Sequence, residues 1–166
     1  MILRVDTAAL LFHAGDDVLP CLIGRGGACL AEAKREGDGC TPIGRWPLRG
    51  ALVRHDRVSP LALPLPWRRI DPADGWSDDP ADPAYNRPVT HPHRFSAERL
   101  WREDGAYDVI IPLGYNDAPP HVGAGSAIFL HCTDFIRPTE GCIAVARDAL
   151  IALLPRLSTA DAVEIV

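Results

Sequence analysis

The chain has 166 residues, 47% hydrophobic and 23% charged, with 17 Lys and Arg against 22 Asp and Glu for a formal net charge of −5. That length predicts one domain over 1–166, burying roughly 70% of its unfolded surface, and the acidic balance argues against a nucleic-acid or other polyanionic partner. Sixteen Pro, 14 Gly and a single Met punctuate the chain too often for long helices, which favours a mainly β fold. The five cysteines, at 21, 29, 40, 132 and 142, contain no C-x-x-C spacing. Neither a zinc ribbon nor a thioredoxin-like motif is indicated, and an odd count leaves at least one thiol free. No stretch reaches the ~18 apolar residues of a membrane span. The N-terminus does not read as a signal peptide: Arg4 is offset by Asp6, and the apolar run is short.

In chain order, Ile2–Val5 and Ala8–His13 predict two short strands, and Val18–Gly24 a strand returning from the turn at Gly15–Asp17. Gly24-Arg-Gly-Gly27 lacks the Gly-Lys-Ser/Thr ending of a phosphate cradle and reads as a turn. Residues 31–46 carry too many breakers for a helix. Ala51–Val58 predicts a strand, and a proline-rich connection from Ser59 to Pro66 leads to Trp67-Arg-Arg69, a solvated rim rather than a base-stacking platform. The carboxylates of residues 71–86 lack the EF-hand order, and Pro72, Pro80 and Pro83 suit Asp-Pro turns better than a calcium loop. His91 and His93 could share a strand face as metal ligands, but Pro92 and the missing third ligand favour solvent-facing loop histidines. Phe95–Glu103 predicts a short helix behind Ser96.

Tyr107–Leu113 reads as a core strand, and Ser126–Leu130 as a buried strand ending at His131. A loop broken by Pro138 follows, then Thr139-Glu-Gly-Cys142 opens the apolar run Ile143–Ala146. Apolar residues at 149, 150, 153, 154 and 157 have a helical period, limited by Pro155, and Ala162–Val166 closes the chain as a strand. His131 at one strand end and Cys142 at the start of the next can meet at one rim of a sheet, where an imidazole takes a thiol proton. Gly141, without a Cβ, permits close backbone approach beside the nucleophile. Cys132 would point to the opposite face from His131 and reads as a packed thiol. A zinc site from His121, His131, Cys132 and Cys142 would need alternating residues to converge.

The pattern His131…Thr139-x-Gly141-Cys142-Ile143 resembles the motif of the L,D-transpeptidase (YkuD) family of peptidoglycan cross-linking enzymes. The resemblance implies a β-sandwich-like domain of mixed sheets with short helices. It also implies a cysteine acyl-enzyme chemistry without cofactor or metal, with Cys142 as nucleophile and His131 as base, serving cell-wall biogenesis and cell shape. The partners it implies are peptidoglycan stem peptides and carbapenem-type acylating inhibitors, and the place of action the periplasm or cell envelope.

Further segments carry the same resemblance. Gly39, Thr41, Pro42 and Gly44 match an early segment that passes beside the family's site, and Tyr115-Asn116 a pair before a glycine-rich turn. Trp76, Asp78, Asp79, Tyr85 and Asn86 match an element of one family subset, which would place Trp76 and Asp79 near the cleft to meet the cationic amine of a stem peptide. Two departures stand out. Cys132-Thr133 follows the histidine where Gly or Ser is usual, and Ala144 replaces an arginine common two residues past the nucleophile. Arg137, in the same loop, is the candidate to supply that charge. The expected substrate-binding set is therefore Thr139, Arg137, Trp76, Asp79, Tyr115 and Asn116. Two other readings remain: a thiol amidase or carboxypeptidase of the same fold, and a module that binds stem peptides without chemistry.

Overall fold

Continuous apolar runs such as Val109–Pro112 and Phe129–Cys132 become strands buried on both faces, the arrangement expected where a sheet is covered on either side. The computed structural model describes residues 1–59 and 63–166. Its strands are β1 (Ile2–Asp6), β2 (Leu11–Ala14), β3 (Asp17–Leu22), β4 (Ala28–Leu30), β5 (Thr41–Pro47), β6 (Ala51–Val53), β7 (Trp67–Arg69), β8 (Asp74–Ser77), β9 (Pro88–Thr90), β10 (Ala97–Arg99), β11 (Val109–Pro112), β12 (Phe129–Thr133), β13 (Ile143–Ala146) and β14 (Ala162–Ile165). The helix α1 covers Arg147–Leu153 and tightens into a 3-10 turn at Leu154–Arg156, where Pro155 lacks the N–H that would continue it. No helix among the described residues is long and apolar enough to cross a membrane.

Eleven strands form one hydrogen-bonded ladder in the order β4-β5-β14-β1-β2-β3-β13-β12-β11-β6-β7. Pairing is mixed: β1–β14, β12–β13, β4–β5 and β6–β7 are parallel, the other neighbours antiparallel. The ladder curls around one core, so that Val163 of β14, Phe12 of β2, Val145 of β13 and Val53 of β6 share a single apolar cluster. Leu150, Leu153 and Leu154 of the helical segment pack into the same cluster. The mainly β architecture of mixed sheets expected from the sequence is what the chain adopts.

The second face of the central strands has a different cover. By the period of two, Val109, Ile111, Leu130, Cys132, Ile143 and Val145 enter the main core, whereas Ile110, Phe129 and Cys142 face a smaller cluster with Leu52, Ile70, Leu100 and Tyr107. A separate three-stranded sheet, β10-β8-β9, adjoins this cluster through Trp76. The helix expected over 95–103 is not formed. Residues 97–99 are instead strand β10, paired antiparallel to β8 with Glu98 opposite Trp76. The helix-favouring composition of Ala97-Glu-Arg-Leu100 is outweighed by that ladder and by complete burial of Leu100.

Other boundaries move. The loop expected over 71–86 contains β8, the strand expected over 51–58 stops at Val53, and that expected over 126–130 begins at Phe129 and runs on to Thr133. Of the proline-rich connection from Ser59 to Pro66, residues 60–62 lie outside the described residues. His91 and His93 are half-buried rather than solvent-facing. His93 Nε2 lies 2.7 Å from an Asp82 carboxylate oxygen, and His91 Nε2 is buried against Gly75.

Candidate active site

β12 and β13 run parallel, with His131 opposite Ala144. Cys142 precedes Ala144 by two residues, so the alternation of side chains puts it on the face that carries His131. Both are 7% exposed. Cys132 faces the main core, as its place in the alternation requires.

The thiol is held by two backbone groups. Cys142 Sγ donates to the Ala127 carbonyl at 3.1 Å and receives the Phe129 N–H at 3.4 Å. Ala127 has φ 53°, a left-handed conformation uncommon for a residue with a Cβ. Its N–H donates to Asn86 Oδ1 at 3.1 Å, which helps to hold that conformation. His131 Nδ1 lies 2.8 Å from the Cys132 carbonyl. A carbonyl only accepts, so the neutral ring carries its proton on Nδ1 and keeps the Nε2 lone pair free. No hydrogen bond joins the ring to the thiol among the described residues.

Burial sets both protonation states. It pushes the Cys142 thiol up to about 12, aided by the negative charge of Glu98 and opposed by the Phe129 N–H. It drives the His131 imidazole down to about 4, against the pull of the Cys132 and Ala106 carbonyls. The resting pair is therefore a neutral thiol and a neutral imidazole.

The turn before Cys142 is clamped by hydroxyls. Thr139 Oγ1 accepts the Gly141 N–H at 3.2 Å and donates to the Cys142 carbonyl at 2.6 Å. Thr41 Oγ1 donates to the Gly141 carbonyl at 2.9 Å and accepts the Gly24 N–H at 2.8 Å. Gly141, at φ 137°, holds a conformation strained for any other residue, and a Cβ there would crowd the Cys40 carbonyl oxygen at 3.0 Å. The segment around Thr41 thus passes directly beside the turn.

The other expected site residues divide into two groups. Trp76 lies over the thiol's cluster, its ring edge-on to Phe129 at 5.1 Å and its Nε1 donating to Asn86 Oδ1 at 2.8 Å. Tyr115 and Asn116 brace the turn before β12: the Tyr115 hydroxyl donates to the Ala124 carbonyl, and Asn116 Nδ2 to the carbonyls of His121 and Gly125. Asp79 caps the backbone N–H groups of Ala81 and Ser96. Arg137 is exposed on the loop between β12 and β13, where its charge reaches Asp104.

Sequence reasoning missed a polar group around the pair. The Tyr107 ring stands edge-on to His131 at 5.1 Å, and its hydroxyl donates to Glu98. Arg102 lies over the Tyr107 ring at 4.8 Å, with a nitrogen 3.9 Å from Glu98, and its charge reaches both His131 and Cys142. Burial raises the Glu98 carboxyl, and the nearby charge of Asp78 adds to the effect. Asp78 Oδ1 is buried without a hydrogen-bond partner. Read as a helix, residues 95–103 would not have delivered Glu98 here. Beyond Trp76 a groove of about 310 Å3 opens, floored by Ala51, Leu52 and Pro112, with Arg49 and Arg68 in its lining. The one cluster of three metal-ligating side chains among the described residues is Cys29, Asp38 and Cys40, away from this pair.

The model of the L,D-transpeptidase (YkuD) catalytic domain matches residues 2–165, and the chain belongs to that family. No curated protein matches its sequence. Among solved structures it is similar to an L,D-transpeptidase from Xylanimonas cellulosilytica, with 12% identity, a TM-score of 0.46 and coverage of 99% of this chain and 59% of that one. L,D-transpeptidase 3 from Mycobacterium tuberculosis compares at 12% identity and a TM-score of 0.49, with coverage of 99% and 60%. That enzyme has also been solved with a faropenem-derived adduct, a structure to which this chain is 13% identical at a TM-score of 0.46, with coverage of 99% and 59%. The chain thus spans less than two thirds of the length of these structures.

The depressed imidazole makes stability depend on pH. Between about 4 and an unfolded value of about 6.5 the unfolded chain binds the His131 proton and the folded chain does not, so stability rises with pH across that window. The full effect is about 3 kcal/mol. Urea unfolding at pH values inside and above the window is expected to show this slope, and His131→Gln to flatten it. An unchanged slope in the variant would mean that His131 is not buried as a neutral ring.

Proposed function

We propose that this protein is a cysteine-dependent peptidoglycan L,D-transpeptidase that transfers an acyl group from one stem peptide to an amine of another. The observation that carries this reading is the pairing of Cys142 and His131 on one face of adjacent parallel strands, with His131 Nδ1 occupied by a backbone carbonyl. In the first half-reaction the thiol turns from the Ala127 carbonyl towards His131 Nε2 and gives up its proton as sulfur attacks the donor carbonyl. The leaving amine takes that proton, and an acyl-enzyme remains. In the second half an amine attacks the thioester, His131 removes its proton, and the thiol is restored. A neutral resting pair suits this course, because the charge separates only as the new bond forms.

Three features support an amine rather than water as acceptor. The thiol is almost wholly buried, Glu98 exerts negative charge upon it, and Asp78 leaves a carboxylate oxygen unpaired near Glu98. A cationic amine is drawn to such a place. The groove beside Trp76 offers room for the donor. In this reading Trp76 walls the cleft. Thr139, Tyr115 and Asn116 hold its backbone, and Asp79 fixes the loop that carries Asp78.

Mass spectrometry of products from a disaccharide-tetrapeptide tests the proposal. Cross-linked dimers are expected from the native protein and none from Cys142→Ala, while Asp78→Asn should shift products towards shortened monomers. Shortened monomers alone from the native protein would make it a thiol hydrolase, and binding without product a stem-peptide module. Faropenem should acylate Cys142, since a strained lactam meets the same nucleophile.

With Ala144 in place of an arginine, the charge that orients the donor falls to Arg102 or Arg137. The nearness of Arg102 to both catalytic side chains favours it. Arg102→Ala is expected to lower kcat/KM about tenfold or more, roughly 1.4 kcal/mol of transition-state binding, with the thiol still acylated by faropenem. Arg137→Ala should change it less than about threefold by the same conversion. The reverse order would assign the donor to the exposed loop.

A further inference from the structure

Cys29 and Cys40 lie outside the machinery at Cys142, whatever reaction that machinery performs. Cys29 is half-buried on β4, and Cys40 is buried one residue before β5, the parallel partner of β4. Their sulfurs and a carboxylate oxygen of Asp38 all lie within 4.8 Å of one another. Three such groups invite a metal, but Asp38 is already committed. It accepts hydrogen bonds from Lys34 Nζ at 2.6 Å, from the Arg35 N–H at 2.7 Å and from the Cys40 N–H at 2.8 Å. Those donors outweigh burial and hold its carboxyl below the usual range. Two thiols without a third free ligand make a poor tetrahedral site. What remains is a pair of neighbouring thiols. Cys40 Sγ has only a long contact with the Gly26 carbonyl, at 3.9 Å, to give up.

We propose that Cys29 and Cys40 form an intramolecular disulfide when the protein meets an oxidising thiol–disulfide partner, and that the bond braces the Leu30–Gly39 loop against the nucleophile turn. The loop and the residues just past it reach the site. Within it, Glu36 accepts the Tyr85 hydroxyl at 2.5 Å and the hydroxyl of Ser126, three residues before β12, at 2.7 Å. Just past it, the Cys40 carbonyl lies against Gly141, and Thr41 donates to the Gly141 carbonyl. The cross-link joins β4 to the residue before β5 and so closes the loop between them.

The chemistry is a two-step exchange. The half-buried Cys29 loses its proton and attacks a disulfide of the partner, releasing one thiol. Cys40 then attacks the mixed disulfide, releasing the second. Two S–H bonds are exchanged for one S–S bond, and the two electrons and two protons leave with the partner's two thiols. Burial and the adjacent Cys40 push the Cys29 thiol up to about 12, so little of it is thiolate at neutral pH and the first step quickens as pH rises. Cys21 and Cys132 are packed in the main core, and Cys142 is confined to the other face, so the exchange is selective.

The test incubates the full chain with oxidised glutathione at about pH 8.5, near the ordinary thiol range. It is followed by alkylation, intact mass and a non-reducing peptide map. The expected result is a loss of about 2 Da, two of the five thiols no longer titratable, and one linked peptide joining Cys29 to Cys40. The melting temperature should rise by roughly 5–10 °C, as closing a short loop implies. Cys40→Ser should stop at a glutathione adduct on Cys29 with no such rise, and Cys29→Ser should leave Cys40 free. A different pairing, a stable adduct on Cys29 of the native chain, or five free thiols would overturn the proposal. So would one equivalent of zinc bound by the reduced protein and shielding both thiols.

Discussion

Burial of a thiol and an imidazole on the same face of two adjacent strands is the constraint on which the rest of this structure depends. Desolvation holds Cys142 protonated and His131 neutral, so neither carries a charge at rest. Keeping these groups out of water requires a cover on the second face of a sheet already packed against a core on the first. Trp76 of β8, Leu100 after β10 and Tyr107 provide apolar cover there. The same segment brings polarity with it, since Glu98 and Arg102 flank Tyr107. One stretch of chain therefore both dries the site and gives it charge.

Around that pair the backbone is held by short side chains. Thr139 and Thr41 use each hydroxyl twice, as donor and as acceptor, and between them anchor the Gly24, Gly141 and Cys142 backbone. Asn86 does the equivalent on the other side, bonding Trp76, Ala127 and the carbonyls of Tyr115 and Asn116. In the proposed reaction the thiol must turn only from one carbonyl to one imidazole, and such rigidity sets the positions of the attacking atom and the base in advance. The loop that ends at Cys40 belongs to the same frame, through Glu36 on one flank and the Cys40 carbonyl on the other.

Much of the fold was legible in the residues. The alternation in Ile2–Asp6, the apolar runs before His131 and after Cys142, and the helical period ending at Pro155 all correspond to elements of the structure. Residues 95–103 were not legible. Ala97-Glu-Arg-Leu100 favours a helix locally, and only the edge of β8, twenty residues earlier, turns it into a strand. The site was read unevenly for the same reason. His131 and Cys142 stand on strands of strong pattern, whereas Glu98 and Arg102 come from the segment whose conformation a distant partner decides. Tyr107 was read as the start of a core strand, and nothing local distinguishes a core tyrosine from one that faces a histidine.

By itself the sequence determined the alternation within each strand, hence that Cys132 takes the face opposite to His131. It also determined that Gly141 would permit close backbone approach beside Cys142. These follow from the period of two and from the absence of a Cβ, which are local properties. The tertiary structure alone decided the protonation of the pair and the charges around it. It also decided that the charge of Arg102 reaches the pair, and that Cys29 and Cys40 are neighbours. Desolvation and Coulomb attraction depend on distances through space, and those are set only when the small sheet and the Leu30–Gly39 loop close over strands far from them in the chain.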